Sequence, residues 1–272
     1  MGQREKVVRA GDQWIRRYHP SPSARATLVC LPYAGGSASY FFPVSRELAP
    51  NVEVLAIQYP GRQDRLLDPM VSTVEELADA VTEVLLATVP GDRPLALFGH
   101  SMGATTAFEV AARLERHGAG PAVLFVSGRR APSVHRDERS HLLDDAGLWA
   151  EVVALGGAAG EVTVDPELVR MALPAIRNDF TAIETYRYRH GPRLRCPIHA
   201  IVGDADPKAP VEEVRAWADH TEAGFALDVL PGGHFYLDQH LQTVLYGITE
   251  ALPGEGQNRI PCTTDGAAAN PQ

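Results

Sequence analysis

Strand-like and helix-like segments alternate along most of this chain, and that alternation restricts the fold more than any other feature. Short, mainly apolar runs typical of strands are followed by segments with apolar residues at helical spacing. Near-continuous apolar strands separated by helices predict an α/β fold with a mostly parallel central sheet and helices on both faces. Right-handed crossovers would bring the strand-to-helix turns to one edge, where such sheets place their ligands. The strand runs, some with their turns, are 26–35, 52–61, 94–99, 122–128, 196–204 and 225–232.

The helix-like segments are bounded by residues that commonly begin and end helices. One has Ser72 or Thr73 available as a cap, and another ends at Gly118. The predicted helices are 37–49, 73–89, 102–118, 213–221 and 239–252.

One long stretch, residues 131–192, breaks the alternation. It contains helix-like segments and no convincing strand, and it separates two strand runs. We interpret it as a helical lid inserted over the catalytic edge of the sheet, the alternative being an ordinary long crossover. The chain is therefore expected to form one domain over residues 1–252. The tail, 253–272, is rich in Gly, Pro, Asn and Ala and is expected to be disordered.

Composition excludes several classes of function. A chain of 272 residues with 45% apolar residues is long enough for one large domain with a full core. The net charge of −9 disfavours a nucleic-acid partner. No apolar run approaches the roughly 20 residues that span a bilayer, and the polar start offers no signal peptide. We therefore expect a cytoplasmic protein.

Cysteine and histidine usage points away from disulfides and metals. Three cysteines, Cys30, Cys196 and Cys262, are an odd and sparse set that suggests a reducing compartment. The first two lie in apolar runs and are expected to be small buried residues. No Cys/His cluster has metal-ligand spacing, so we expect no metal.

The segment 99–103, Gly-His-Ser-Met-Gly, fits the pattern G-x-S-x-G between a buried strand and a helix. Alone the pattern is weak, but this context is the one that a nucleophile elbow requires in the α/β-hydrolase fold. The sharp turn would strain the backbone of Ser101, and Gly99 and Gly103 would leave room for it. The positive end of the following helix would point at the hydroxyl. Ser101 is therefore the predicted nucleophile.

A serine hydroxyl needs a base to take its proton. Of the ten histidines, His234 follows the last strand run and precedes the last helix. That position matches the order Ser, acid, His of this fold. His100, next to the serine, is expected to point elsewhere as a packing residue.

The acid that orients the base should follow the strand before that of the histidine. Two carboxylates, Asp204 and Asp206, stand there, and spacing alone leaves both open. The oxyanion of the reaction needs backbone N–H donors. Met102, directly after the nucleophile, and Ala34, in the turn 32–36, are the predicted donors. The alternative for this turn is a tight connection before a helix.

With these motifs the chain resembles the type II thioesterases that accompany polyketide synthases and nonribosomal peptide synthetases. The resemblance runs from about Trp14 to Leu252. The Pro-Gly-Arg stretch at 60–62 and the Asn-Asp pair in 176–188 are more discriminating than G-x-S-x-G. Many relatives have His where this chain has Tyr33, a tolerable change if Ala34 supplies only its N–H. The other segments are 28–43, 52–65, 97–104, 201–207 and 230–237.

The resemblance implies a triad of Ser101, Asp206 and His234, since the family acid directly precedes Pro207. It implies that Ala34 and Met102 form the oxyanion hole. It also implies an acyl-serine intermediate, formed from an acyl group on the phosphopantetheine of an acyl or peptidyl carrier protein. The biological role would be editing, the removal of stalled or wrong acyl groups. No cofactor is expected beyond the phosphopantetheine of the partner, and the protein is expected to be a monomer.

Three other functions stay open from the sequence. A lipase, esterase or peptidase would share the fold, since fold does not fix substrate. An acyltransferase would replace water with another nucleophile. A non-catalytic carrier-binding module is the alternative outside enzymes.

Carrier proteins are usually acidic, as this chain is, so docking would need a local basic patch. Arginines concentrate where the predicted lid begins and ends, and part of this set is a candidate docking surface. For any single arginine, a solvated charge without a partner is an equal alternative. The set comprises Arg129, Arg130, Arg136, Arg139, Arg187, Arg189, Arg193 and Arg195.

Overall fold

A seven-stranded sheet forms the centre of the protein, whose computed structural model describes residues 13–156 and 165–253. The strand order is β1-β3-β2-β4-β5-β6-β7, with β1 antiparallel to β3 and all other neighbours parallel. The predicted fold class is therefore confirmed. The strands are β1 Ile15–Arg16, β2 Ala26–Leu31, β3 Val52–Ile57, β4 Leu95–His100, β5 Val123–Ser127, β6 Ile198–Gly203 and β7 Phe225–Leu230.

Strand β1 is absent from the sequence prediction. It has two residues, and Ile15 pairs with Ile57 at the edge of the sheet. A segment this short shows no periodicity, which is why the sequence does not indicate it.

Seven α-helices are described, and they lie close to the predicted segments. Helix α2 begins after Thr73, whose hydroxyl oxygen accepts a hydrogen bond from the N–H of Glu76 at 3.2 Å. The third helix is followed by Gly118 at φ +73°, a conformation that favours glycine. The helices are α1 Phe42–Leu48, α2 Val74–Thr88, α3 Met102–Arg116, α4 Asp145–Ala154, α5 Pro166–Thr185, α6 Val211–Arg215 and α7 Leu237–Ala251.

Alternate side chains of the strands pack against different helix layers. In β2, Val29 and Leu31 belong to the core shared with α2 and α3. Leu28 and Cys30 belong to the core shared with α1 and α7. Each such buried aliphatic side chain contributes about 1.5–3 kcal/mol. Helices therefore cover both faces, and the carboxyl edge of the sheet is left for chemistry.

The insertion between β5 and β6 contains α4, α5 and a 3₁₀ turn at Ser140–Leu142, with no strand among its described residues. Both helices contribute to a separate apolar cluster that includes Leu148, Ile176 and Phe180. Ala34, from the turn after β2, packs against this cluster. The insertion thus lies over the edge of the sheet that carries the predicted nucleophile.

Cys30 and Cys196 are buried and free, and burial raises the pKa of both thiols, that of Cys196 to about 12. Cys262 and residues 254–272 of the tail lie outside the described residues. None of the described helices has the length and apolarity needed to cross a membrane.

Candidate active site

The turn between β4 and α3 places Ser101 in a strained backbone conformation. Its φ is +55° and its ψ is −118°, a region that residues other than glycine rarely occupy. A Cβ on Gly99 would lie 2.1 Å from the carbonyl oxygen of Gly103, and one on Gly103 would lie 2.1 Å from that of Leu31. Both glycines are therefore required by close backbone approach, and the turn projects Ser101 from the carboxyl edge of the sheet.

Three predicted side chains form one hydrogen-bonded chain. The Ser101 hydroxyl lies 2.9 Å from Nε2 of His234, and Nδ1 of His234 lies 2.8 Å from Oδ2 of Asp206. Since the carboxylate only accepts, Nδ1 carries the proton and Nε2 is free to accept from the serine. His234 and Asp206 are 3% and 4% exposed, so bulk water does not compete for these bonds. This geometry suits transfer of the serine proton to the imidazole.

The two candidate acids have different surroundings. Asp206 is buried, and its second oxygen accepts from the N–H of Lys208 at 2.8 Å. Asp204 is exposed, and it accepts from the N–H of Gly232 at 2.9 Å. Asp206 therefore contacts the imidazole, whereas Asp204 holds the turn that carries His234.

The His100 ring makes no hydrogen bond to the nucleophile but belongs to a buried polar chain, and it lies 5.1 Å from the His234 ring. The Tyr236 hydroxyl donates to the carbonyl of Ile201 at 3.0 Å, so Ser127 must donate to Tyr236 across 2.6 Å. Ser127 then accepts from Nδ1–H of His100 at 2.9 Å. Burial, and next the nearby His234, lower the pKa of His100 well below its usual value. A neutral packing residue, as predicted, does not repel the imidazolium that forms during catalysis.

Both predicted oxyanion donors lie near the nucleophile. Met102 begins α3, where the first N–H groups of a helix have no intrahelical acceptor. Ala34 lines the same cavity as Ser101. Among the described residues, neither N–H donates a hydrogen bond. Both groups are therefore available to a ligand oxygen.

A buried ion pair fixes the turn that carries Ala34. Asp179 on α5 accepts from the N–H of Gly35 at 2.8 Å and from both terminal nitrogens of Arg62 at 2.5 and 2.9 Å. Arg62 also donates to the carbonyl of Gly36 at 3.0 Å. Burial alone would lower the pKa of Arg62, but the charge and hydrogen bonds of Asp179 raise it. The ion pair thus ties the inserted helix to the predicted oxyanion loop.

We expect Asp179→Leu to lower the free energy of unfolding by about 3–5 kcal/mol, because it leaves the Arg62 guanidinium buried and unpaired. The double variant Arg62→Met/Asp179→Leu should recover most of that stability, since no charge is then left unpaired. It should nevertheless keep a kcat reduced by about 10²-fold, because Gly35 has lost its acceptor and Ala34 its position. Urea unfolding and steady-state kinetics measure the two effects separately.

The exposed pair of Asp137 and Arg139 provides the control, with Asp137→Asn expected to change stability by less than about 1 kcal/mol. A double variant as unstable as Asp179→Leu, or one with full kcat, would contradict this account of the ion pair.

A cavity of about 250 Å³ opens at the nucleophile. Ser101 and His234 lie at its polar end, and the rest of its wall is mainly apolar. The insertion supplies most of that wall, which contains Trp149, Val152, Leu155, Leu168, Val169, Ala172, Ile176 and Phe180. The cavity can therefore hold an apolar group next to the serine.

The sequence alone did not identify the Arg62–Asp179 pair, nor the role of Asp179 as acceptor for the N–H of Gly35. Each residue lies in one of the two stretches that are most discriminating for the family, and that location is the signal that could have identified them. No group of three or more potential metal ligands is clustered in the described part of the chain.

Comparisons with known proteins agree with this arrangement. The family model "Thioesterase domain" matches residues 26–252. "Thioesterase PikA5" of Streptomyces venezuelae is 50% identical over 242 residues, 88% of this chain and 85% of that protein. "Probable cadicidin biosynthesis thioesterase" of Streptomyces griseus is 51% identical over 240 residues, 88% of this chain and 66% of that protein.

Among solved structures, the type II thioesterase BorB from the borrelidin biosynthetic cluster superimposes with a TM-score of 0.84. It is 53% identical, and the match covers 89% of this chain and 98% of that one. With the sheet order and the strained serine turn, these matches show that this chain belongs to the thioesterase family of α/β-hydrolases and resembles its type II members.

Proposed function

We propose that this protein hydrolyses acyl thioesters on the phosphopantetheine arm of acyl or peptidyl carrier proteins. It would thereby remove stalled or wrong acyl groups during polyketide or nonribosomal peptide biosynthesis. The observation that supports this best is the chain Asp206–His234–Ser101 at the mouth of an apolar cavity, in a member of the thioesterase family. Two of the relatives named above carry names that refer to a biosynthetic pathway, that of cadicidin and that of borrelidin.

In the first half of the reaction, Ser101 attacks the thioester carbonyl while Nε2 of His234 takes its proton. The N–H groups of Ala34 and Met102 would stabilise the oxyanion, and losing one such donor costs about 10²–10³-fold in rate. The intermediate then expels the thiol, which leaves with the proton from His234. The acyl group stays on Ser101 as an ester.

In the second half, water replaces the thiol. His234 takes a proton from water as the oxygen attacks the acyl-serine carbonyl, and it returns the proton to Ser101 as the acid leaves. Asp206 stabilises the charged imidazole in both halves. The protein needs no cofactor for these steps.

The acyl group would lie in the apolar cavity, against Trp149, Leu168 and Phe180 of the insertion. This placement supports the proposal that residues 131–192 act as a lid on a single domain. It also favours an apolar acyl chain, because the wall offers few hydrogen-bond partners away from Ser101.

Paired substrates test the reaction class. We expect kcat/KM for an acyl-pantetheine thioester to exceed that for the matched oxygen ester by about tenfold or more, because a thiol, with a pKa near 8.5, leaves more readily than an alcohol. Single-turnover assays with acyl groups loaded on carrier protein, followed by product analysis, test the partner and the acceptor. Preference for the oxygen ester would favour an esterase. Transfer to another nucleophile in place of water would favour an acyltransferase.

A further inference from the structure

A second cavity, lined by arginines, lies beneath the carboxyl end of α5. It has a volume of about 260 Å³, and Glu184 is the only carboxylate among its described lining residues. Two histidines and two tyrosines complete much of its polar wall. The arginines are Arg129, Arg130, Arg136 and Arg187. None of the steps proposed above uses this cavity.

Two of these arginines already have anionic partners. Arg130 forms a buried ion pair with Glu138. Arg136 lies 2.6 Å from a carboxylate oxygen of Glu213. These two side chains shape the wall, and their charge is largely neutralised before a ligand arrives.

The single carboxylate of the wall is also engaged. Its oxygens accept from the N–H groups of Ser140 and His141 at 3.1 and 3.0 Å and from the His141 ring. Arg187 donates only to carbonyl oxygens at its own helix end, those of Glu184 and Tyr186. Glu184 therefore makes its hydrogen bonds to donors other than the arginines, and no described carboxylate is paired with Arg187.

Arg129, like Arg187, forms no ion pair with a carboxylate of the described residues. Its guanidinium has no hydrogen bond or ion pair with any described residue, and only its backbone carbonyl is engaged, by the indole N–H of Trp217 at 2.8 Å. Burial, and next the charge of Arg130, lower its pKa, yet a guanidinium stays charged. The charges of Glu138, Glu184 and Asp206 act on the partly exposed Arg129 guanidinium, but none of these carboxylates is hydrogen-bonded to it. An anion that accepts directly from the guanidinium would therefore gain a charge-assisted hydrogen bond that no described residue supplies.

The cavity adjoins the catalytic centre. Ser101 donates its N–H to the carbonyl of Ser127 at 2.8 Å, two residues before Arg129. Thr105, about one helical turn after Ser101, lines the cavity. Helix α5 spans both cavities, since Phe180 lines the apolar one and Ile183 lines the basic one. An apolar cavity and a basic cavity thus lie along one helix, and Ser101 or its neighbouring turn contacts both.

We propose that the basic cavity binds a phosphate-ester oxyanion, with Arg129 as its central donor. The planar guanidinium can donate two parallel hydrogen bonds to two oxygens of one phosphate. In turnover the ligand would be the phosphodiester of the carrier's phosphopantetheine arm, an assignment that rests on the proposed function. Inorganic phosphate presents the same chemistry and serves as a second probe.

The test compares the KM values of two thioesters that carry the same acyl group. One is built on pantetheine, which lacks phosphate, and the other on phosphopantetheine. The wild-type KM should be about tenfold lower for the phosphorylated thioester, as expected for a charge-assisted hydrogen bond. Arg129→Gln should bring the ratio of the two KM values close to one, and Arg129→Lys should retain part of it. Arg25→Gln removes an exposed arginine at the amino end of β2, away from the catalytic edge, and should retain the ratio.

A measurement on the wild type covers the case in which Arg129→Gln does not fold. Inorganic phosphate should raise the KM for the phosphopantetheine thioester and leave that for the pantetheine thioester unchanged. Equal wild-type KM values for the two thioesters would overturn the proposal. An equal change in both KM values in Arg129→Gln would also overturn it. So would a change in KM only for the intact carrier protein, which would mean that Arg129 contacts an acidic side chain of that protein.

Phosphate binding measured without turnover separates this proposal from the proposed function. The ³¹P NMR signal of inorganic phosphate should broaden when the Ser101→Ala protein is present. It should stay sharp with the double variant Ser101→Ala/Arg129→Gln. If phosphate binds in this way but the wild-type protein hydrolyses no thioester, the anion site stands and the thioesterase assignment fails. If the wild-type protein hydrolyses both thioesters with equal KM and the phosphate signal does not broaden, the anion site alone is wrong.

Discussion

Replacing Ser101 with alanine should lower kcat for acyl-carrier hydrolysis by about 10⁴–10⁶-fold, the loss seen when a serine nucleophile is removed from a hydrogen-bonded triad. The substitution removes the hydroxyl oxygen that lies 2.9 Å from Nε2 of His234 at the mouth of the cavity. KM should change little, because the apolar cavity and its wall remain. Single-turnover kinetics with a loaded carrier protein measure the effect.

Mass spectrometry of the quenched reaction provides the matching structural readout. The wild-type protein should carry one acyl group on Ser101, and the alanine variant should carry none. Ser23→Ala, at an exposed turn before β2, is the control and should keep full activity. An acyl adduct of unchanged amount in Ser101→Ala would place the nucleophile on another residue.

The sheet and the order of the catalytic groups could be predicted because they follow from local patterns. Continuous apolar runs mark the parallel strands, and the carboxyl ends of those strands meet at one edge. Residues that follow β4, β6 and β7 therefore had to come close together, although more than 130 positions separate Ser101 from His234. Gly99 and Gly103 could be interpreted in the same way, because a sharp turn at Ser101 leaves no room for side chains at these positions.

The choice between Asp204 and Asp206 could not be predicted from spacing. Both carboxylates follow β6 within three residues, and a turn of that length can direct either one toward the histidine loop. Their roles depend on how the turn meets Gly232, whose N–H is held by Asp204. Only the family pattern, with the acid before Pro207, favoured the residue that contacts His234 in the structure.

The Arg62–Asp179 pair shows a different limit. The two residues are 117 positions apart, one in a loop after β3 and the other inside the insertion. No periodicity links them, so their contact requires the tertiary structure. It also changes how the insertion is understood, since α5 is held to the core by a buried charge at Asp179. We therefore expect this part of α5 to stay in place when the proposed lid opens, because separating the pair while either side chain stays buried would leave an unpaired buried charge.

Asp206→Asn should lower kcat by about 10⁴-fold with little change in KM, because an amide can donate to Nδ1 and so favour the wrong tautomer of His234. The Ser101 hydroxyl would then face an Nε2 that carries hydrogen and cannot accept its proton. Asp204→Asn is the matched control, since its side-chain oxygen can still accept from the N–H of Gly232, and kcat should fall by less than about tenfold. A large loss in Asp204→Asn together with near-normal turnover in Asp206→Asn would reverse the assignment of the acid.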